Sequence, residues 1–200
     1  KGVFYIRTTP DCVGNDKLHT NQPDKVQFDT TSYTQQDING IVDGLIDHVK
    51  TVSNSMFGET TATDYSSLPL SPAGRPMIDL RSGAAGTYYI NCPKDATNSW
   101  TNGAYGNGLE IYIRDDQTIV FNIDAENVTI NQNQWSLNGS PITGMDTSAK
   151  EYEIAQRLIY NMPNAKNVLT NNTTGIFVCP NAYAENKVTA GWIVCDKMKA

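Results

Sequence analysis

Three apolar pairs near the C-terminal end recur at a nearly fixed step. Ile159-Tyr160, Ile176-Phe177 and Trp192-Ile193 lie about 16 to 17 residues apart, with Val168 and Val188 falling between them. Asn- and Gly-bearing turns separate the runs. A short repeat of this kind cannot bury its own apolar face, so successive repeats must stack to build a continuous core. Strands achieve this as a β-solenoid, each coil lying parallel to the next about 4.8 Å away. A β-sandwich also contains many short strands, but it does not require a fixed repeat. The solenoid is therefore the preferred reading.

The same character extends upstream. Apolar runs at 77–80, 87–91, 109–113, 119–123, 128–130 and 135–137 precede those at 158–161, 168–169, 176–179 and 192–195, which places a β body at 77–197. A short helix is expected over 147–157. Residues 3–6 read as a strand, 7–32 as a loop rich in Thr, Asp, Asn and Pro, and 59–76 as a second loop with Pro69, Pro72 and Pro76. Between the loops, Ile38, Ile41, Val42, Leu45, Ile46, Val49, Val52 and Met56 recur at three- and four-residue steps and predict an amphipathic helix over 34–57. Thr34 is its N-cap, with Asp37 three residues on. Gly58 stops it, where a left-handed residue is usual. Gly40 and Gly44 each weaken it by about 1 kcal/mol relative to Ala, and Asp37, Asp43, Asp47 and Lys50 exclude a membrane GxxxG pair. The apolar stripe must be buried, and the flank of the solenoid is the surface available for it. The expected architecture is a mainly β single domain over 1–200: a strand plus loop at 1–33, the helix packed along the flank, and a parallel β-solenoid, or β-helix-like, body.

Charged residues make up 18% of the chain and the formal net charge is −6, with no basic block. That excludes nucleic acid as a partner, because phosphate binding needs clustered Lys and Arg, and it disfavours anionic membrane surfaces. No stretch approaches the apolar length of a spanning helix. The chain starts at Lys1 without a signal peptide and ends without an anchor. Its Asn/Thr-rich β segments with few Lys and Glu have the composition of surface proteins. The expectation is a segment of a longer secreted chain.

The cysteines are Cys12, Cys92, Cys179 and Cys195; none forms a CxxC or Cys/His cluster, so no zinc site, and no other metal or cofactor, is expected. If 16 residues make one coil, Cys179 and Cys195 stack within disulfide range. The alternative is two reduced cysteines in an apolar ladder, and spacing leaves both open. Cys12 and Cys92 pair only if the N-terminal loop returns to the body. His19 and His48 are isolated and read as ordinary side chains.

Asp115, Asp116, Asp124 and Glu126 flank the run 119–123. Paired acids can serve a glycosidase or bind calcium. Both groups also look like turns, where Asp bonds its own backbone, and no Dx[DN]x[DN]G loop is present. GxSxG, HExxH, P-loop and GxGxxG motifs are absent, so no catalytic residue is expected. Tyr88, Tyr89, Trp100 and Tyr105 are candidates for an exposed aromatic ligand-binding surface, against partial burial at a loop junction. Asn127, Asn138, Asn171 and Asn172 begin Asn-Xaa-Ser/Thr triplets; they read as glycan acceptors in a eukaryote, or as turn caps and ladders between coils. An ice-binding face would need a regular Thr-x-Thr array on consecutive coils, and none is visible.

Three segments carry a family resemblance. The first is Thr118-Ile119-Val120-Phe121-Asn122-Ile123, followed by Val128-Thr129-Ile130 and Leu137-Asn138-Gly139. The second, Leu158-Ile159-Tyr160-Asn161-Met162-Pro163-Asn164-Ala165, is similar to a hydrophobic-W-N-F-P-N-A signature with Tyr160 and Met162 in place of aromatics. The third is Ile176-Phe177-Val178-Cys179-Pro180-Asn181-Ala182 followed by Gly191-Trp192-Ile193-Val194. With the helix, they resemble the bacterial choice-of-anchor A domain, an adhesin-type domain of cell-surface proteins, over roughly residues 34–197. The N-terminal segment lacks that family's Gly/Asn-rich opening strands, and the cysteines are atypical of it. The resemblance implies a Gram-positive cell surface, with cell-wall anchoring of the full-length protein, and supplies no catalytic residues. The expected function is a non-catalytic adhesin recognising a host matrix protein or glycan. The alternatives are a carbohydrate-active β-helix enzyme using the four acids, or a structural stalk or pilus-like module carrying a Lys–Asn isopeptide bond.

Overall fold

The computed structural model describes residues 2–4, 26–28, 35–102, 108–142 and 153–199. The chain divides into two compact units, Lys1–Val49 and Lys50–Ala200, with the boundary inside the helix.

In the first unit, β1 (Gly2–Phe4) pairs in parallel with β2 (Val26–Phe28). β2 lies in a segment that the sequence presents as loop; three residues among Asp, Asn and Pro give too short an alternation to read. Helix α1 runs Gln35–Phe57, as its periodicity predicts. Thr34 lies outside the described residues. Gly58 donates its N–H to the Asn54 carbonyl at 3.0 Å but does not adopt the left-handed backbone expected of it. The apolar stripe is only partly covered. Ile38 is buried, whereas Ile41, Leu45, Ile46 and Val52 are 37–60% exposed. At 100° per residue, Ile38, Val42, Val49, Ser53 and Met56 fall within about 60° of arc, and Ile41, Leu45 and Val52 lie to one side of it. The stripe in the sequence is wider than the face that is covered.

The second unit is a parallel solenoid. Its strands are β3 (Thr63–Asp64), β4 (Met77–Asp79), β5 (Gly86–Pro93), β6 (Ser99–Thr101), β7 (Glu110–Tyr112), β8 (Gln117–Asp124), β9 (Asn127–Asn131), β10 (Ser136–Leu137), β11 (Ser140–Pro141), β12 (Leu158–Asn161), β13 (Asn167–Asn171), β14 (Thr173–Asn186) and β15 (Thr189–Lys199). Three coils, β4–β5–β6, β7–β8–β9 and β10–β12–β13, each pass through three sides. β14 and β15 then bend through two sides apiece. The first side stacks β4, β7 and β10. The second stacks β3, β5, β8, β12, β14 and β15, and the third stacks β6, β9, β13, β14 and β15. The repeat seen in the sequence is the second side: Ile159 faces Ile176, which faces Trp192. One strand departs from the parallel order. β11 folds back on β10 across Asn138-Gly139, whose φ angles of 51° and 78° suit a two-residue hairpin. Of the short helix expected over 147–157, residues 153–155 are helical and 147–152 lie outside the described residues.

Inside the second side, register stacks ring on ring. Phe121, Tyr160 and Phe177 are fully buried; their ring centroids are 5.2 and 4.8 Å apart, and each pair is within 8° of parallel. Trp135 tilts against Phe121 at 5.8 Å. Burying each ring stabilises the fold by about 1.5–3 kcal/mol, and each stacked pair adds about 0.5–1.5 kcal/mol. Burial pushes the Tyr160 phenol far up and keeps it neutral. Its hydroxyl accepts from Gln132 Nε2, while Gln132 Oε1 accepts the Thr174 N–H at 2.5 Å. Gly175 makes room for this stack. A Cβ there would sit 2.7 Å from Tyr160 Cε2 and 2.9 Å from the Leu158 carbonyl oxygen.

On the outer surface of the same side, asparagines hold the last turns of α1. Asn161 Nδ2 donates to the Ser53 carbonyl at 2.8 Å, Ser53 Oγ donates to Asn161 Oδ1 at 2.5 Å, and Asn122 Nδ2 donates to the Met56 carbonyl at 2.7 Å. Met56 is one of the four terminal residues whose carbonyls have no partner within a helix. These bonds dock Lys50–Phe57 on β8 and β12.

Truncating Phe177 to Ala is expected to cost about 3–5 kcal/mol in urea unfolding, because it removes a fully buried ring that stacks on Tyr160. Tyr160→Phe keeps the ring but removes the acceptor for one buried Gln132 N–H, while the bonds of Gln132 to Thr174 remain, at a cost of about 1–3 kcal/mol. Equal, small effects from the two variants would show that the ring stack does not organise the core.

Candidate binding face

Strand alternation divides the third side into a core face and a solvent face. Trp100, Val128, Ile130, Val168, Thr170 and Ala184 point inward and are buried. The alternate residues form two outer rows across five coils. One row is Ser99, Asn127, Asn167, Tyr183 and Lys197; the other is Thr101, Thr129, Leu169, Glu185 and Lys199. Asn131 and Asn171 add a shorter third row. The rows are held by side-chain bonds as well as by the backbone. Asn167 Nδ2 donates to Asn127 Oδ1 at 2.9 Å, and Asn172 Nδ2 donates to Asn133 Oδ1 at 2.9 Å. Thr170, Thr189 and Asn186 form a hydroxyl–amide chain at the far edge, with both steps at 3.0 Å.

A polar groove of about 380 Å³ borders this face along the corner between the second and third sides. The two Pro-Asn-Ala segments build it. Pro163, Ala165, Pro180 and Ala182 are buried and fill the corner, while Asn164 and Asn181 remain exposed. Asn181 Nδ2 ties one turn to the next by donating to the Pro163 carbonyl at 2.9 Å. Asp124 accepts from Asn164 Nδ2 at 3.0 Å and lies 4.0 Å from Lys94 Nζ; Glu126 lies 2.7 Å from Lys166 Nζ. The Lys166 ammonium beside Glu126 holds its carboxyl below the usual range, with help from Asn98. Asn98 adopts a left-handed φ of 56°, and its Oδ1 is buried without a protein partner. The groove thus offers amide and carboxylate acceptors next to two ammonium donors, with the charges balanced.

The four acids do not form one site. Asp115 and Asp116 lie just before the other end of β8, about 25–30 Å along the strand direction from Asp124. They are exposed and pair with Arg157 at 3.4 Å and Arg114 at 3.1 Å. A glycosidase acid must hold a raised pKa; Glu126 is shifted the other way.

The described aromatic candidates are also apart. Tyr88 and Tyr89 are consecutive on β5 and so lie on opposite faces. The Tyr88 hydroxyl donates to the Ala84 carbonyl at 2.8 Å, and Tyr89 is half-buried. Trp100 is 6% exposed and meets Tyr65 edge-on at 5.9 Å, which makes it a core residue. Tyr105 lies outside the described residues. Of the Asn-Xaa-Ser/Thr positions, Asn127 stands in the exposed ladder, and Asn138 caps a turn by bonding both the N–H and the carbonyl of Ile113 at 2.9 and 2.8 Å. Cys179 stands opposite Cys195 in register, and both are free thiols, as is Cys92. Cys12 and His19 lie outside the described residues. His48 is exposed on α1.

A parallel solenoid that holds one ordered polar face toward solvent has the build of an adhesive surface domain. Over residues 5–199 the sequence matches the family model described as "Putative Ice-binding-like adhesive domain", and the chain belongs to that family. This supports the adhesive class drawn from the sequence, without being specific to choice-of-anchor A. No curated protein and no solved structure matches the chain. Leu169, Tyr183, Glu185, Lys197 and Lys199 interrupt any regular Thr array on the outer rows.

Because the folded pKa of Glu126 lies below its unfolded value, the Lys166 contact is intact above the ordinary carboxylate range and is lost as pH falls through the depressed pKa. An NMR titration is expected to place the Glu126 midpoint below that of a free glutamate, and Lys166→Met to move it back up. A midpoint insensitive to that substitution would contradict the pairing.

Proposed function

We propose that the chain is a non-catalytic adhesin-type module of a bacterial cell surface, which holds an extracellular glycan along the third side and its corner groove. The observation that carries this reading is the pair of outward-facing rows, exposed or half-buried, running in register over five coils. Cross-coil bonds such as Asn167 to Asn127 fix these side chains before any ligand arrives. Binding then costs little side-chain entropy. Hydroxyl, amide and ammonium groups at strand spacing suit a polyhydroxylated chain. A host matrix protein fits less well, because protein hot spots favour Trp, Tyr and Arg and the two rows carry only Tyr183 of these. Cell-wall anchoring in a longer Gram-positive protein is the setting the family resemblance favours.

The enzyme alternative draws no support from the acids, since Asp124 and Glu126 each have a lysine at hand. On a glycan array, the wild-type chain is expected to bind a subset of glycans, and the Asn127→Ala/Asn167→Ala double variant to lose at least about tenfold in affinity, or about 1.4 kcal/mol, with an unchanged melting temperature. Bound glycans should be recovered intact. Binding that survives the double variant, or shortened glycans, would refute the reading.

A further inference from the structure

We propose that Cys179 and Cys195 are a disulfide-forming pair that staples the last coil to the one before it. The two residues are register partners on adjacent parallel strands, β14 and β15. Parallel neighbours lie about 4.8 Å apart, and disulfides span Cα separations of about 4.4–6.8 Å. Both side chains belong to the inward row of the second side: Cys179 is fully buried, and Cys195 packs half-buried against the core. The fold gives Cys179 no competing partner among the described cysteines. Cys92 pairs in register with Ile123 on β8, and β12 intervenes before β14, which leaves about three strand spacings to Cys179.

The position matters mechanically. β15 pairs only with β14 among the described strands, and its Trp192, Val194 and Met198 are exposed, so it is the least supported coil. The register breaks immediately after the cysteines. β14 uses Pro180, Asn181 and Ala182 to turn the corner before Tyr183, where β15 has Asp196 alone before Lys197. A bond between Cys179 and Cys195 fixes the last point at which the two coils are still in step.

The chemistry needs an external oxidant, for which a small-molecule disulfide serves. Cys195 reacts first, because it is the more accessible thiol; burial pushes Cys179 up to about 12. The Cys195 thiolate attacks one sulfur of the small disulfide and expels a thiolate. Cys179 then loses its proton and attacks Cys195 Sγ, expelling the second thiolate. Two protein thiols are oxidised by two electrons, and one small disulfide is reduced to two thiols.

The experiment is oxidation of the purified chain with oxidised glutathione, followed by intact mass and peptide mapping. The expected result is the loss of two hydrogens and a Cys179–Cys195 cross-linked peptide, retained in Cys92→Ser and absent in Cys195→Ser. The oxidised form should melt about 6–12 °C above the reduced form, as expected for closing a loop of some 15 residues. Persistent alkylation of both thiols, a stable glutathione adduct at Cys195, or a cross-link to Cys92 or Cys12 would overturn the proposal.

Discussion

Register between parallel coils is the constraint on which the rest of this body depends. In the core it is enforced by the Phe121–Tyr160–Phe177 stack, whose rings are nearly parallel because their strands are in step. A slip of one residue would turn every ring to the outer surface and bring the outer residues into the core. The buried Gln132 bonds add a polar requirement to the apolar one: Tyr160 and Thr174 satisfy Gln132 only in this alignment. Gly175, with a φ of 156°, removes the Cβ that would otherwise wedge the stack open.

The same register organises the outside. Where identical or similar polar residues fall at equivalent positions, they bond to one another, as Asn167 does to Asn127 and Asn161 to Asn122. On the second side these asparagines hold the end of α1. On the third side they remain exposed and form the candidate binding face. One device, an asparagine ladder, thus serves attachment of the helix in one place and presentation to solvent in another. The Pro-Asn-Ala corners join the two, with Pro and Ala filling space inside and Asn reaching the groove.

Much of this was legible because periodicity is a local signal. The 16- to 17-residue step located the second side, and the spacing of Cys179 and Cys195 gave their register. The limits of α1 followed from its three- and four-residue steps. The first side was not recognisable as a side, because β4, β7 and β10 are two or three residues each and spaced by irregular turns. How much of the helix stripe is covered depends on neighbours distant in sequence. Among the described aromatics, Tyr88 and Tyr89 do not share a face for a readable reason: they are consecutive, and a strand sends consecutive side chains to opposite faces. The binding face was half seen, as asparagines expected to form ladders. Asp124 and Glu126 were singled out for acid–base chemistry, and what their sequence could not show was the lysine brought beside each by a neighbouring turn or coil.

The most direct test of register as the organising constraint is native-state hydrogen exchange across the second side. Amides of β8, β12 and the first half of β14 should open together, with a single free energy equal to that of global unfolding, because one ring stack spans all three. Separate opening free energies for β8 and β14, with β12 exchanging early between them, would contradict the account.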